Sequence, residues 1–343
     1  MTRLQGGRNW LRPRFGLRAL FAVLLPIAVV LAVLAARLQR GRVESDIARR
    51  ITAAGGKAVV QPGVQPWAEK FFGRRFASAF DKVTSVTLSG THFDKDLLRR
   101  LRDLPGLYDL RLGETAASDD EMRHVEGLTS LSALWLGGSS ITDDGLVHLR
   151  GLARLSFLSL PGCAIGDRGL KHLGGLTNIT NLNLKDTDVT DGGLVHLKGL
   201  TRLKTLDLSR TRIGDSGIQA VSRLPSLEKL YLSETAVSDA GVQYLAGLQR
   251  LSVLFLDGTR ISDESLLVIG ALPALTDLNL KNTAVGDLGA IYLISESERS
   301  SLRFLYLQGT NVTDQGIADL REVMPNLVSI DRPRPTALPS WRR

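Results

Sequence analysis

ITNLNLKDTDVTDGGLVHLKGLTR (Ile179–Arg202) is the stretch that decides the fold, because it carries two hydrophobic periodicities in succession. Leu182 and Leu184 stand two positions apart, which is the spacing of a short strand with one buried face. Leucines then recur every three residues from Leu194 to Leu200, which is the spacing of a helix's inward stripe. The stretch therefore predicts one strand, one turn and one helix.

The same pattern recurs along most of the chain at intervals of 24 residues. After Leu275 the interval stretches to 27 residues at Leu302 and to 25 at Leu327, where only the fragment LVSI remains, so ten units are usable. One coil cannot cover its own leucines, so successive coils must stack into a solenoid. We therefore predict an α/β fold with a curved parallel β-sheet inside and helices outside. The units begin at Val83, Leu107, Leu131, Leu155, Ile179, Leu203, Leu227, Leu251, Leu275 and Leu302.

Two polar columns run through the units. A threonine-type residue follows each strand, and we interpret Cys163 as a buried spacer in this column and not as a nucleophile. An aspartate stands at the helix start of most units, where its carboxylate can accept backbone N–H groups that have no partner within the helix. The first column comprises Thr91, Thr115, Ser139, Cys163, Thr187, Thr211, Thr235, Thr259, Thr283 and Thr310. The second comprises Asp143, Asp167, Asp191, Asp215, Asp239, Asp263, Asp287 and Asp314.

This pattern resembles the leucine-rich-repeat family over about residues 83 to 330. It is most similar to the cysteine-containing type, with its LxxLxLxxCxxITDxGLxxL unit, shortened and with threonine in the cysteine place. The layout is also similar to membrane-anchored leucine-rich-repeat proteins of planctomycete bacteria, most of which have no assigned activity. The resemblance supplies the solenoid fold and no catalytic residues.

Charge is concentrated at the two ends of the 343-residue chain, whose formal net charge is +8. Residues 1–50 carry ten arginines against Glu44 and Asp46, and residues 331–343 carry four arginines against Asp331, so residues 51–330 have a net charge of −3. A groove that binds phosphates needs clustered positive charge, so we expect no nucleic-acid partner. With one cysteine in the chain, an intrachain disulfide and a cysteine-built metal centre are both excluded.

A charge-free segment, ALFAVLLPIAVVLAVLAA (Ala19–Ala36), precedes the repeats. Eighteen residues of helix span ~27 Å, close to the ~30 Å hydrocarbon layer of a membrane. The arginines before it weakly favour a cytoplasmic amino terminus and an extracytoplasmic repeat domain, and so a single-pass anchor. A cleaved signal peptide, with Val33 and Ala35 before the cut, remains the alternative and would yield a secreted protein.

The segments around the repeats are expected to cap them. KAVVQ (Lys57–Gln61) is predicted to add an edge strand, and Trp67, Phe71, Phe72, Phe76 and Phe80 lie near helical spacing, which suits a plug over the first coil. An amphipathic helix on the membrane surface is the competing interpretation of that aromatic segment. The predicted organisation is a basic cytoplasmic segment 1–18, an anchor 19–36, a juxtamembrane segment and N-terminal cap 37–82, a solenoid 83–330 and a disordered tail 331–343.

The chain shows no pattern that indicates catalysis. His124, His148, His172 and His196 are spaced by 24, but packed helices lie ~8–10 Å apart, so the column cannot share one zinc ion and is explained by duplication. Phosphate-loop, HExxH and GxSxG motifs are absent from the sequence. We therefore expect no enzymatic activity, no cofactor and no metal site.

Outward side chains of the predicted inner strand face are the candidate binding site. Positions three, five and seven of the units hold six aromatics among thirty residues, a fraction above the 6% of the whole chain. Strand propensity explains part of this excess, but exposed Trp and Tyr are also typical anchors of protein contacts. We predict a non-enzymatic, membrane-anchored binding protein with a protein or peptide partner. The alternatives are a passive structural envelope component and a hydrolase or transferase with an unrecognised site. The candidate ligand-binding residues are Trp135, Phe157, Asn183, Asp207, Tyr231, Phe255, Phe304 and Tyr306.

Overall fold

A computed structural model gives the fold of this protein. It describes residues 17–64, 69–71, 73–88, 90, 95–295 and 301–331. These fall into two compact units, Met1–Asp46 with Gln61–Lys82 and Ile47–Val60 with Val83–Arg343. The second unit contains the repeats. Thr91, Trp67, Phe72, the basic segment up to residue 16 and the tail from residue 332 lie outside the described residues.

Among the described residues, twelve strands form one sheet whose spatial order follows the chain, from β1 to β12. Neighbours from β2 onward are parallel, and each pairs with the next in the register of the repeat, as in Leu182↔Leu206. The strand predicted at KAVVQ is confirmed as β1. The fragment LVSI that begins at Leu327 contributes residues to a further strand, β12, which pairs with β11. The strands are β1 Lys57–Gln61, β2 Lys82–Thr87, β3 Asp109–Arg111, β4 Ala133–Trp135, β5 Phe157–Ser159, β6 Asn181–Asn183, β7 Thr205–Asp207, β8 Lys229–Tyr231, β9 Val253–Phe255, β10 Asp277–Asn279, β11 Phe304–Tyr306 and β12 Ser329–Asp331.

Each strand of the repeats is followed by a turn and a short helical segment, as the alternating periodicities predict. The helices are α1 Leu17–Ala53, α2 Arg74–Ala77, α3 Lys95–Arg100, α4 Asp119–Met122, α5 Asp167–Leu170, α6 Asp191–Leu194, α7 Asp215–Val221, α8 Asp239–Val242, α9 Ser265–Gly270, α10 Asp287–Ser295 and α11 Asp314–Val323. Single turns of 3-10 helix occupy Ser78–Phe80, Leu101–Asp103, Gly145–Leu149, Val195–Gly199 and Gln243–Gly247.

The core of the second unit is a stack of leucines. The leading residues and both strand leucines of the repeat are buried, with Leu182, Leu184 and Leu206 at 0–1% exposure. The helical leucines are buried too, Leu194 and Leu197 among them. Each buried leucine stabilises the fold by roughly 1.5–3 kcal/mol relative to an exposed one, so the stacked column dominates the stability of the repeats.

Hydroxyl groups of the threonine column satisfy carbonyl groups inside the turns. Thr187 Oγ1 donates to the Leu184 carbonyl at 2.6 Å, and the described threonines and Ser139 repeat this contact with the leucine three residues before them at 2.5–2.7 Å. Cys163 is 2% exposed and donates its thiol to the Leu136 carbonyl of the preceding coil at 3.2 Å. Burial raises the pKa of this thiol, as expected of a structural spacer.

The aspartate column bridges coils, whereas the sequence suggested that each aspartate caps its own helix. Asp191 Oδ1 accepts the backbone N–H of Gly214, which lies one coil further on, at 2.7 Å. Asp215 likewise accepts both the N–H and the hydroxyl of Ser238 at 2.7 Å. Where a residue caps the helix of its own coil, it is the one before the aspartate, as when Thr190 accepts from Gly192 N. Eight aspartates from Asp119 to Asp287 make the contact to the next coil at N···O distances of 2.6–2.8 Å.

The first unit contains most of α1, a helix of 37 residues that includes the predicted anchor. Residues Leu24–Ala53 are long and apolar enough to cross a membrane, and few of them are buried. Leu25, Val30 and other apolar side chains of this helix are largely exposed. This end of the chain is therefore a candidate membrane span or signal sequence.

The aromatic segment that was predicted to plug the first coil lies mostly in the first unit. Phe71 is 78% exposed, and the Phe76 and Phe80 rings contact each other with centroids 5.2 Å apart. In the second unit, the fully buried side chains on the N-terminal side of the repeats are Ile47 and Ile51. The plug and the membrane-surface helix both stay predictions.

Candidate functional site

Outward side chains of the strands form two parallel rows on the sheet surface. One row joins position three of each unit, from Asp109 through Lys229 to Phe304, and the other joins position five, from Arg111 through Tyr231 to Tyr306. All eight candidate residues lie in these rows and are half-buried. The rows bring five of the six aromatic candidates together as two separate groups.

The first group surrounds Trp135 on β4. Its ring stacks on Phe157 of β5, with centroids 4.1 Å apart and planes 33° apart, while the Arg111 guanidinium of β3 lies 4.9 Å from its centroid. Its indole N–H donates to Asp109 Oδ1 at 3.1 Å. Trp135 is thus held by contacts from both neighbouring strands.

Asp109 is the polar anchor of this group, and it is 9% exposed. Besides the indole, its carboxylate accepts the Ser85 hydroxyl at 2.9 Å and two N–H groups of Arg111 at 3.1 and 3.2 Å. Because its carboxylate accepts hydrogen bonds from all three side chains, Asp109 fixes the rotamers of Ser85, Arg111 and Trp135. Asp109 and Arg111 are absent from the sequence-predicted site, although positions three and five of the unit that begins at Leu107 would have identified them.

The second group, which we call the aromatic cluster, comprises Tyr231 on β8, Phe255 on β9 and Tyr306 on β11. The Tyr231 and Phe255 rings meet edge to face with centroids 5.0 Å apart, and Phe255 and Tyr306 meet at 6.4 Å across the smaller Asn279 of β10. The Lys281 ammonium lies 5.2 Å from the centroid of Tyr306. Three strand spacings separate β8 from β11, so the cluster spans ~14 Å.

Carboxylates flank the aromatic cluster. Burial raises the pKa of the Tyr231 hydroxyl, and the negative charges of Asp207 and Asp277 raise it further. Asp257 lies nearby, where it accepts the Ser233 hydroxyl at 2.6 Å and an amide N–H of Asn279 at 2.8 Å. The cluster therefore combines apolar rings with charged side chains around them.

The polar candidates between the two groups have a local structural role. Asn183 Oδ1 accepts the backbone N–H of Lys185 at 2.9 Å, and Asp207 Oδ1 accepts that of Ser209 at 3.0 Å. Both side chains thereby satisfy N–H groups just beyond the ends of their strands. The remaining candidate, Phe304, stands at position three of β11, two residues before Tyr306, on the same face.

Residues 200–222 and 223–246 match the family model described as Leucine Rich repeat. The chain carries a leucine-rich-repeat domain. No curated protein matches this sequence, so the similarity to planctomycete proteins stays a prediction.

Solved structures share the leucine-rich-repeat fold. An internalin, InlF of Listeria monocytogenes, matches 73% of this chain and 87% of its own at 19% identity, with a TM-score of 0.42. A TDR receptor matches 73% of this chain and 43% of its own at 16% identity, with a TM-score of 0.50. The Arabidopsis receptor kinase HAESA, solved with an extended IDA peptide hormone, matches 67% and 39% at 18% identity, with a TM-score of 0.51.

The histidine column of the repeats lies half-buried on the helical side. His148 Nδ1 lies 3.1 Å from Glu126 Oε2, and Arg150 contacts His172 Nδ1 at 2.6 Å. Burial lowers the pKa of His124 and of His172, and nearby arginines lower both further. Among the described residues, no group of three or more histidine, cysteine or acidic side chains is placed to hold a metal ion.

A polar depression of about 590 Å³ lies beside the turns that follow β5 to β8. Its charges pair with one another across the coils. Arg210 lies 3.8 Å from Asp186 and 3.9 Å from Glu234, and Arg212 lies 2.6 Å from Asp188. The charged residues of this depression, three carboxylates and two arginines, are therefore already paired with one another.

Proposed function

We propose that this protein is a non-enzymatic, membrane-anchored binding protein whose strand face docks a protein or peptide through the aromatic cluster. The contact of Tyr231, Phe255 and Tyr306 across four strands is the observation that supports this most strongly. Tyr and Phe are typical anchors of protein interfaces because they bury a large area and lose little conformational entropy.

Trp135 is a weaker candidate than its residue type suggests. Phe157 and Arg111 pack on its ring from the strands on either side, and Asp109 holds its indole N–H. A partner would find little of its ring surface free. We therefore place the contact centre at Phe255 and assign Trp135, Phe157, Asn183 and Asp207 to the supporting surface.

The leucine-rich-repeat fold suits this role, because repeated strands present a long row of outward side chains for a partner. HAESA, which has the same fold, was solved with a peptide hormone bound. We propose a protein or peptide partner for this chain because of its own aromatic cluster, and the fold that it shares with HAESA is consistent with such a partner.

Photo-crosslinking in cells tests the proposal. A benzoylphenylalanine placed at Phe255 should give a discrete protein adduct, whereas the same probe at Gln219, an exposed position on the helical side, should give none. A Tyr231→Ala substitution should reduce the adduct severalfold, since interface anchors cost roughly 2 kcal/mol or more on truncation. An unchanged melting temperature of the Tyr231→Ala variant would show that the variant is folded.

Two results would contradict the proposal. Equal labelling from Phe255 and Gln219, or no adduct from either, would indicate a passive structural component of the envelope. A purified chain that turns over a substrate, with the rate abolished by a single polar substitution, would indicate a hydrolase or transferase instead.

We further propose that residues 19–36 are retained as a membrane anchor and that the repeat domain lies outside the cytoplasm. The exposed apolar side chains of α1 and the arginines flanking its apolar stretch support this arrangement. In the alternative, signal cleavage would release the repeat domain as a secreted protein.

A further inference from the structure

A second depression, of about 520 Å³, lies on the helical side of the repeats, on the 3-10 turn Val195–Gly199. Three exposed cations, Lys171, Lys198 and Arg223, line it together with His196. Within the described part of the chain, neither lysine nor Arg223 forms an ion pair, and the lining contains no acidic side chain. Val195 at the rim is 51% exposed. We call this feature the basic depression.

Close backbone approach forms the floor of the basic depression. A side chain at Gly174 would come within 2.8 Å of the His196 carbonyl oxygen, and one at Gly199 within 2.8 Å of the Gly174 carbonyl oxygen. The coil of Gly174 and the next coil, which carries His196 and Gly199, therefore approach each other here without side chains between them. The space above the floor stays open, and the cations stand around it.

Duplication does not explain these cations, because they depart from the repeat. Arg223 stands at the position where the four preceding coils and the following coil carry glycine. Lys171 occupies a position that holds valine in the coils before and after it. Lys198 stands at the position where the preceding coil carries Gly174. The three positive charges therefore line an open depression without an ion-pair partner in the described part of the chain, which leaves a positive potential there.

We propose that the basic depression binds a phosphate-bearing anion. Lysine ammonium groups bind phosphate oxygens as point charges, and an arginine adds a planar pair of donors. Free phosphate compounds and the phosphodiester of an acidic lipid headgroup offer the same chemistry. This site is independent of the strand face, so either proposal can fail without the other.

Calorimetry on the full chain in neutral detergent and phosphate-free buffer tests this site. The probes are inorganic pyrophosphate and dihexanoyl phosphatidylglycerol. Lys171→Gln/Lys198→Gln should weaken binding roughly tenfold, whereas the charge-matched control Lys57→Gln/Lys185→Gln should leave the affinity within roughly twofold of the original. Arg223→Gly, which restores the glycine of the column, should also weaken binding.

The pattern of binding identifies the source of the anion. Binding of both probes supports a phosphate site in general, and binding of the lipid probe alone supports a headgroup site. No heat with either probe, or equal weakening by both double variants, would overturn the proposal. A lowered melting temperature in Lys171→Gln/Lys198→Gln without any anion binding in the original chain would also overturn it, because the lysines would then only compensate helix carbonyl ends.

Discussion

At the scale of single residues, the Asp-x-Gly pair of each unit is a contact between neighbouring coils. Asp191 occupies the space beside Gly217, where an added Cβ would lie 2.4 Å from its carboxylate oxygen. Where serine replaces glycine, at Ser265, its hydroxyl donates to Asp239. At the first coil Lys95 replaces the aspartate and Glu121 the glycine, and these two form an ion pair at 2.7 Å. The sequence shows both columns, but only the packing shows that each aspartate belongs with the next coil's glycine.

A double-mutant cycle on Asp191 and Gly217 tests this coupling. Asp191→Ala should destabilise by about 1–3 kcal/mol, because the half-buried Gly214 loses the acceptor of its N–H. Gly217→Ala should cost about 1–3 kcal/mol through overpacking. The double variant should cost less than the sum, because the closest clash, at 2.4 Å, disappears with the carboxylate, whereas the contact with Ile213 Cγ2 at 2.9 Å stays. Urea unfolding measures all three, and Gly175→Ala, which meets no atom within 4 Å, is the control. Strict additivity would contradict the coupling.

The buried carboxylate of Glu121 makes stability depend on pH. Burial alone would raise its pKa, but hydrogen bonds from Lys95 and Ser118 outweigh burial and lower the pKa from 4.5 to about 2. The folded pKa lies below the unfolded one, so the ion contributes stability above pH 4.5 that is lost as the pH falls toward 2. Relative to that of the Glu121→Gln variant, the free energy of unfolding of the original chain should fall by on the order of 3 kcal/mol over this range. Parallel urea titrations measure this difference, and a gap that does not change with pH would refute the assignment.

At the scale of strands and helices, hydrophobic periodicity predicted the strands of the ten units because each strand buries one face. Periodicity could not predict β12, since its own unit is incomplete and β11 supplies its pairing. Nor could it predict the ring contacts. Trp135 meets Phe157 diagonally, and Phe255 reaches Tyr306 only because Asn279 between them is small. The outward position of each candidate was thus predictable, whereas its partner depends on the neighbouring side chains.

A charge in the leucine column should unfold more than one coil. Leu184 is fully buried, and its backbone N–H donates to the Asp207 carbonyl of the next coil at 2.9 Å. Leu184→Asp should therefore cost several kcal/mol, because an unpaired carboxylate enters an apolar interior. Hydrogen exchange should accelerate most in this coil and its two neighbours, as expected for nearest-neighbour stacking. The adjacent Lys185→Asp is the exposed control, and a variant of Leu184 that melts like the original chain would exclude the stacked column.

At the scale of the whole molecule, the sequence predicted an apolar segment of eighteen residues, and the helix that contains it continues to Ala53. The N-terminal end of the second unit was harder to predict. The aromatic residues of Trp67–Phe80 led to the prediction of a plug, which stays a prediction, and the burial of Ile47 and Ile51 was not predicted. Their four-residue spacing is a helical signal, but charged neighbours such as Arg49 and Arg50 reduce the apolar character of the segment.

Membrane topology can be tested by labelling single cysteines that are introduced into a chain without Cys163. Cys163 is buried and its pKa is raised, so it should react poorly with maleimides, and Cys163→Thr follows the residue type of its column. In that background, Gln219→Cys should be labelled by a membrane-impermeant maleimide on spheroplasts, and Thr2→Cys only after permeabilisation, because the arginines before the span favour a cytoplasmic amino terminus. If Thr2→Cys were labelled on spheroplasts and Gln219→Cys only after permeabilisation, the chain would have the opposite topology. A mature chain that lacks the Thr2→Cys label and has lost the mass of its first residues would instead indicate signal cleavage, because the apolar helix would then have served only for export.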